Sequence, residues 1–215
     1  MRVLSVATGV LLASSLAVNV AAAQKVKSAA TEPTFGAVVG VNVATFSGSD
    51  ASGVKSLAGL AFGAQATFSF SPSVFFQPQV LYSMKGAQET FAGDTTLKVK
   101  LNYIEAPLLL GVRLSSAQNR VRPYLVAGPT VAYLASCKVN LSAGGISNEA
   151  DCASGSTKSF DAGVTGGAGL EIATGRVTLS LAARYFLGLT EPIQSSNIKN
   201  RGFNVGVGAA IPLGH

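Results

Sequence analysis

Seven charged side chains fall on positions that alternate with apolar neighbours: Lys85, Glu105, Arg113, Asp161, Glu171, Arg176 and Arg184. Such spacing puts them on one face of extended strands, opposite an apolar face. If that face is enclosed, each charge must be paired and hydrogen-bonded or it costs several kcal/mol. Two chemistries are open to such a set. One is a structural plug of ion pairs; the other is a narrow ion path or proton relay. We adopt the plug as the expectation. Glu105 is the residue to watch, because Pro107 and the leucine run Leu108-Leu109-Leu110 fix its strand closely.

Cys137 and Cys152 are the two cysteines of the chain. They lack the C-x-x-C redox spacing, and no metal-ligand quartet surrounds them. In an exported chain an even cysteine count favours a disulfide. Closing a loop of this length is worth about 3 kcal/mol in the loop-entropy account. Catalysis has less support. The single histidine, His215, stands at the C-terminus on an expected periplasmic tail, so the usual general base is missing where a substrate lipid would lie. Gly167-Ala168-Gly169 is followed by no helix and is no phosphate loop. The expectation is no catalytic residue, no metal and no cofactor.

The elements that must position these residues read most clearly from Phe160 to Leu189. Phe160, Ala162, Val164, Gly166, Ala168, Leu170 and Ile172 alternate with Asp161, Gly163, Thr165, Gly167, Gly169 and Glu171. After a break at Thr174-Gly175, Val177, Leu179, Leu181, Ala183, Tyr185 and Leu187 alternate with Arg176, Thr178, Ser180, Ala182 and Arg184. A period of two marks an antiparallel hairpin. Charged residues make up 12% of the chain, about half the ~25% of soluble domains. A barrel whose apolar face meets lipid needs no more, so that face is assigned to the membrane.

Arg2, the apolar run Val3–Val20 and Ala21-Ala22-Ala23 read as a cleaved signal peptide over 1–23. Losing Arg2 takes the net charge from +6 to +5. That charge is diffuse and not interleaved with aromatics, which argues against nucleic-acid binding. Strands are expected at 35–45, 57–70, 74–88, 97–115, 121–135, 160–173, 176–189 and 201–213, with tight connections alternating with longer ones. Residues 136–157 read as the longest polar loop, held mobile unless Cys137 and Cys152 join. The parity of Leu97, Val99 and Leu101 differs from that of Ile104, Leu108 and Leu110, so a bulge is expected near Asn102-Tyr103. Aromatic residues are expected in two belts, with Tyr82, Phe160, Tyr185 and Phe203 external and Phe68, Phe70, Phe76 and Tyr124 periplasmic.

Asn102-Tyr103-Ile104-Glu105-Ala106-Pro107-Leu108-Leu109-Leu110, then Pro123-Tyr124, Gly128-Pro129, Asp161, Gly167-Ala168-Gly169-Leu170-Glu171, Arg184-Tyr185 and Gly188-Leu189, occur in that order. The run resembles the PorT-like outer-membrane β-barrel family, relatives in shape of the small OmpA- and OmpX-type barrels. The resemblance implies a single-chain barrel in the outer membrane of a Gram-negative cell, without enzymatic activity.

The reading is therefore an all-β, antiparallel up-and-down transmembrane β-barrel of about eight strands over 24–215. It is a monomer whose lumen is filled by side chains. Its partners are outer-membrane lipid and, through its external loops, an unidentified surface or secretion partner. Two alternatives stay open: a narrow channel or secretion-accessory barrel, and a soluble lipocalin-like barrel with the charged face outward.

Overall fold

The computed structural model describes residues 32–48, 55–91, 95–153, 157–191 and 198–214. The expected signal peptide, 1–23, and His215 lie outside the described residues. Nine strands run through them: β1 (Thr34–Ser47), β2 (Lys55–Ser69), β3 (Val74–Phe91), β4 (Thr95–Arg113), β5 (Val121–Ala143), β6 (Ile146–Asp151), β7 (Phe160–Thr174), β8 (Val177–Gly188) and β9 (Lys199–Pro212). Every pairing is antiparallel. The ladder runs β4-β3-β2-β1-β9-β8-β7-β5, and a further β4–β5 pairing closes the ring. Eight strands form the wall, and β6 pairs with the upper part of β5 alone.

Alternation explains the wall. On β1, β7, β8 and β9 the valines, leucines and aromatics of one parity are exposed, among them Val39, Val41, Val164, Leu170, Leu181, Tyr185, Val205 and Val207. The opposite parity is buried and polar, including Asn42, Thr165, Glu171 and Asn200. A water-soluble barrel with charge outside would show the inverse, so the lipocalin-like alternative falls. Pro78 stays within β3, and the β2–β3 ladder skips the pairs beside it, between Gln65↔Gln79 and Phe68↔Phe76. A proline without an N–H is tolerated where the ladder opens.

Three expectations are corrected. Residues 136–157 are not all loop. β5 continues to Ala143 and turns back through Gly144 and Gly145, whose φ values are 56° and 82°. Two residues with positive φ make the hairpin turn that matches strand twist, and glycine takes it without steric cost. Side chains then tie the polar ladder: Asn140 Nδ2 donates to Ser147 Oγ at 2.9 Å and the Ser142 hydroxyl to Asn140 Oδ1 at 3.0 Å. The second correction concerns the register shift opposite Asn102/Tyr103. It is present, but the extra residue is Ala135 on β5, since Asn102 pairs with Ser136 and Tyr103 with Leu134. β4 keeps one parity, so Leu101 shares the inner face with Tyr103 and Glu105. The third concerns Tyr124, which is buried in the lumen and leaves the periplasmic aromatic belt.

β4 and β5 have 19 and 23 residues, against the roughly 9–11 that cross a bilayer. Their upper ends, with β3 and β6, therefore stand clear of the membrane as a sheet at the end opposite the tight β2–β3 and β7–β8 turns, the end that is external where short turns are periplasmic. Beneath it an apolar cluster caps the lumen: Phe46, Ala87, Leu101, Tyr103 and Ala132, with Val99, Leu134, Cys137 and Ile198 packed against them.

Candidate functional site

The inward residues form stacked layers between this cap and the periplasmic mouth. Lowest is a cluster around Glu171. Arg113 reaches it with Nε at 2.7 Å and Nη2 at 3.3 Å, and Arg122 Nη2 lies 3.1 Å away. The two-point geometry suits a guanidinium facing a carboxylate. Arg113 also donates to Ser69 Oγ at 3.2 Å and stacks 4.4 Å from the Phe75 ring centre. Phe75 has room because residue 111 is glycine. A Cβ there would lie 2.1 Å from the ring.

The next layer is built on amides. Arg184 donates to Gln79 Oε1 at 2.7 Å and to Gln77 Oε1 at 3.2 Å. Gln79 Nε2 donates in turn to Gln65 Oε1 at 3.0 Å, and Gln77 Nε2 to Thr67 Oγ1 at 3.3 Å. Above it, Lys85 Nζ and Glu105 lie 2.5 Å apart, with side chains only 4% and 8% exposed. The ammonium also sits 3.6 Å from the centre of the Phe186 ring, so an aromatic face supplies part of what water would. Asn204 donates to Asn42 at 2.7 Å, and Asn42 to Ser83 at 2.8 Å. Highest is Asp161, which accepts from Thr190 Oγ1 at 2.5 Å and from Asn200 Nδ2 at 2.6 Å. Asn200 also reaches the Tyr103 hydroxyl at 3.3 Å.

Six of the seven predicted charges thus lie in the lumen, and two features depart from expectation. Arg176 does not join them. It occupies the β7–β8 turn beside Gly175, whose φ is 63°, and is exposed. The turn takes two residues, so alternation does not carry through it. Asp161 and Arg184 are held by neutral side chains and not by opposite charges. Sequence reading missed Phe186, Tyr103 and the glutamines. Gln77 and Gln79 carried the inward parity as a signal, but nothing local told that they would meet Arg184 across more than a hundred residues.

Outside the membrane, Glu149 on β6 joins Lys100 on β4 at 2.7 Å and Lys138 on β5 at 3.0 Å. Their hydrogen bonds, that of Lys100 first, hold the Glu149 carboxyl below the usual carboxylate range. The same contact holds the Lys138 ammonium above its usual range. Cys137 and Cys152 form a disulfide with Cα atoms 5.4 Å apart, closing the base of the β5–β6 hairpin. Among the described residues no three His, Cys, Asp or Glu side chains converge on a point where a metal could bind.

A family described as the outer membrane protein beta-barrel domain matches residues 22–194. No curated protein sequence matches. Among solved structures, the outer membrane protein OprG from Pseudomonas aeruginosa superposes with a TM-score of 0.49 at 13% identity, covering 86% of this chain and 99% of that one. Neisserial surface protein A gives 0.45 at 18% identity, covering 81% and 95%. Ail, the attachment invasion locus protein of Yersinia pestis, solved with the heparin analogue sucrose octasulfate, gives 0.43 at 12%, covering 84% and 100%.

Proposed function

The chain belongs to the outer membrane protein beta-barrel domain family, and from that premise we propose that it is a non-enzymatic, monomeric barrel whose lumen is closed and whose external sheet meets a partner at the cell surface. It is exported with residues 1–23 as a cleaved leader, and 24–215 form the mature barrel. The ordered motifs from Asn102 to Leu189 support placing it in the PorT-like branch.

The observation that carries the reading is the filled bore. Four layers of buried side chains lie under an apolar cap, with Lys85, Glu105 and Asp161 each almost wholly sealed. An eight-stranded barrel is only wide enough for such side chains. The β5–β6 hairpin, by contrast, is exposed along all of β6 and braced by Cys137–Cys152. Its position favours contact with a surface or secretion partner over any role in the wall.

Planar-bilayer recording tests the closed bore. The expected result is no steady single-channel current from the purified barrel. Steady currents that Glu105→Ala abolishes would replace this reading with a narrow transport path.

A further inference from the structure

We infer that the middle of the lumen binds one small monovalent inorganic anion, of the halide class, as counter-ion to Arg184. Two adjoining cavities of about 40 and 20 Å³ lie there. They share Ala61, Leu81, Arg184 and Asn204 as lining residues. On this measure a water needs about 10–15 Å³, so the larger cavity admits an occupant of halide size.

The charge balance says what kind of occupant belongs there. Lys85 is matched by Glu105, and Glu171 is shared between Arg113 and Arg122. Arg184 has no carboxylate partner among the described residues; Nη1 and Nη2 meet the neutral Gln79 and Gln77, and the neutral Tyr124 hydroxyl also lies against the guanidinium. Its Nε is sealed from solvent and has no hydrogen-bond partner there, on a side chain that lines both cavities. Glu171 faces two guanidiniums, so the lowest cluster keeps a net positive charge of its own. Among the described lumenal residues the other charge without an ion pair is Asp161, and it is remote. Arg184 pairs with Gly167, six residues from Asp161, or about 20 Å along the strand at ~3.3 Å per residue. A cation half-buried in an enclosed lumen without a counter-charge carries a desolvation cost, and a single negative charge beside it offsets part of that cost. Glu105 also lines the larger cavity. It is held by Lys85, which makes a monovalent anion acceptable there and a divalent one not.

Two measurements on the full-length mature barrel decide the matter. In crystals soaked with sodium bromide, diffraction at the bromine edge should show an anomalous peak in the cavity, within hydrogen-bonding distance of Arg184 Nε. In vesicles, urea unfolding is followed at constant sodium while gluconate is replaced by chloride. Well above half-saturation, each tenfold rise in chloride should raise the folded-to-unfolded ratio about tenfold. Arg184→Gln should lose both signals. Gln79→Glu, which puts a carboxylate where Arg184 already donates, should fold and lose the chloride response. If Arg184→Gln does not assemble, Gly202→Ala serves: its Cβ would meet nothing closer than 3.7 Å, and it narrows the larger cavity that Gly202 lines. It should weaken the response while leaving Arg184 in place. No peak in the wild-type cavity, or a chloride response that Gln79→Glu retains in full, would overturn the site.

Discussion

Glu105→Ala tests whether the lumen is dry at its middle. The substitution removes the carboxylate 2.5 Å from Lys85 Nζ and leaves the ammonium in place, on a side chain 4% exposed. Breaking a buried ion pair from one side costs about 3–5 kcal/mol, because the remaining charge is uncompensated. The Phe186 face at 3.6 Å is present with and without the carboxylate, so it does not offset the loss. The net expectation is a loss of at least about 3 kcal/mol, or two powers of ten in the folding equilibrium at ~1.36 kcal/mol per tenfold change. The assay is urea unfolding in phospholipid vesicles, followed by circular dichroism because the chain has no tryptophan. Gel mobility of unheated samples gives a second readout. Replacing both partners, with Lys85→Met and Glu105→Leu together, should return the barrel to within about 1 kcal/mol of wild type, since an apolar pair of similar volume carries no desolvation cost. The reasoning is refuted if Glu105→Ala alone unfolds like wild type. That outcome would mean that water reaches Lys85 and the bore is open at this level.

On the lipid face, Leu181→Arg should cost about 2–4 kcal/mol and slow assembly, whereas its inward neighbour Ser180→Ala should leave both nearly unchanged; equal assembly of the two variants would reverse the assigned faces. Gly111→Ala drives a methyl into the Phe75 ring, 2.1 Å away. Overpacking of this kind costs about 1–3 kcal/mol, and Phe75→Leu in the same chain should relieve it in vesicle unfolding. For the external sheet, Glu149 has a lowered carboxyl pKa, owing first to the Lys100 hydrogen bond. Its contribution is therefore present above the ordinary carboxylate pKa and is lost as pH falls through the lowered one. Protease cutting in β6 of reduced protein should rise on acidification, and Glu149→Gln should abolish that rise. In unreduced protein freshly isolated from the membrane, thiol titration should find neither Cys137 nor Cys152 free, and Cys→Ser at both should leave the barrel assembled.

What could be read in the chain and what could not divide along one physical line. A strand's two faces are a local property, so Leu181, Val205 and Asp161 declare their sides within a few residues. Partners are not local. Lys85 meets Glu105 only once the β3–β4 register sets Leu81 against Glu105, and Arg113 meets Glu171 from 58 positions away. Tyr124 misleads because aromatics favour both the membrane rim and any inner face roomy enough to take them. Room comes from Gly169 on the neighbouring strand, where a Cβ would lie 2.4 Å from the tyrosine ring. The β5–β6 hairpin misleads for another reason. Cys137, Val139, Leu141 and Ala143 do alternate with Lys138, Asn140 and Ser142 on β5, but β6 is short, mostly polar and exposed throughout, so the whole stretch reads as a polar loop. Gly144-Gly145 was a second local signal, and glycine pairs mark loops as readily as hairpin turns.

The two lumenal charges without an opposite charge follow a common rule. Asp161 is met by the amide of Asn200, and Arg184 by the amides of Gln77 and Gln79. A carboxamide carries a donor and an acceptor, so it can turn the end that each charge needs toward it and pass the opposite end onward. Gln79 does this, accepting from Arg184 through Oε1 and donating to Gln65 through Nε2. Amides satisfy hydrogen bonds but do not cancel charge. For Asp161 that suffices, because a hydroxyl and an amide both converge on a single carboxylate. For Arg184 the Nε–H is left without a partner. The layer with the most amides is thus also the layer that still requires a negative ion, and its cavities border the residue that requires it.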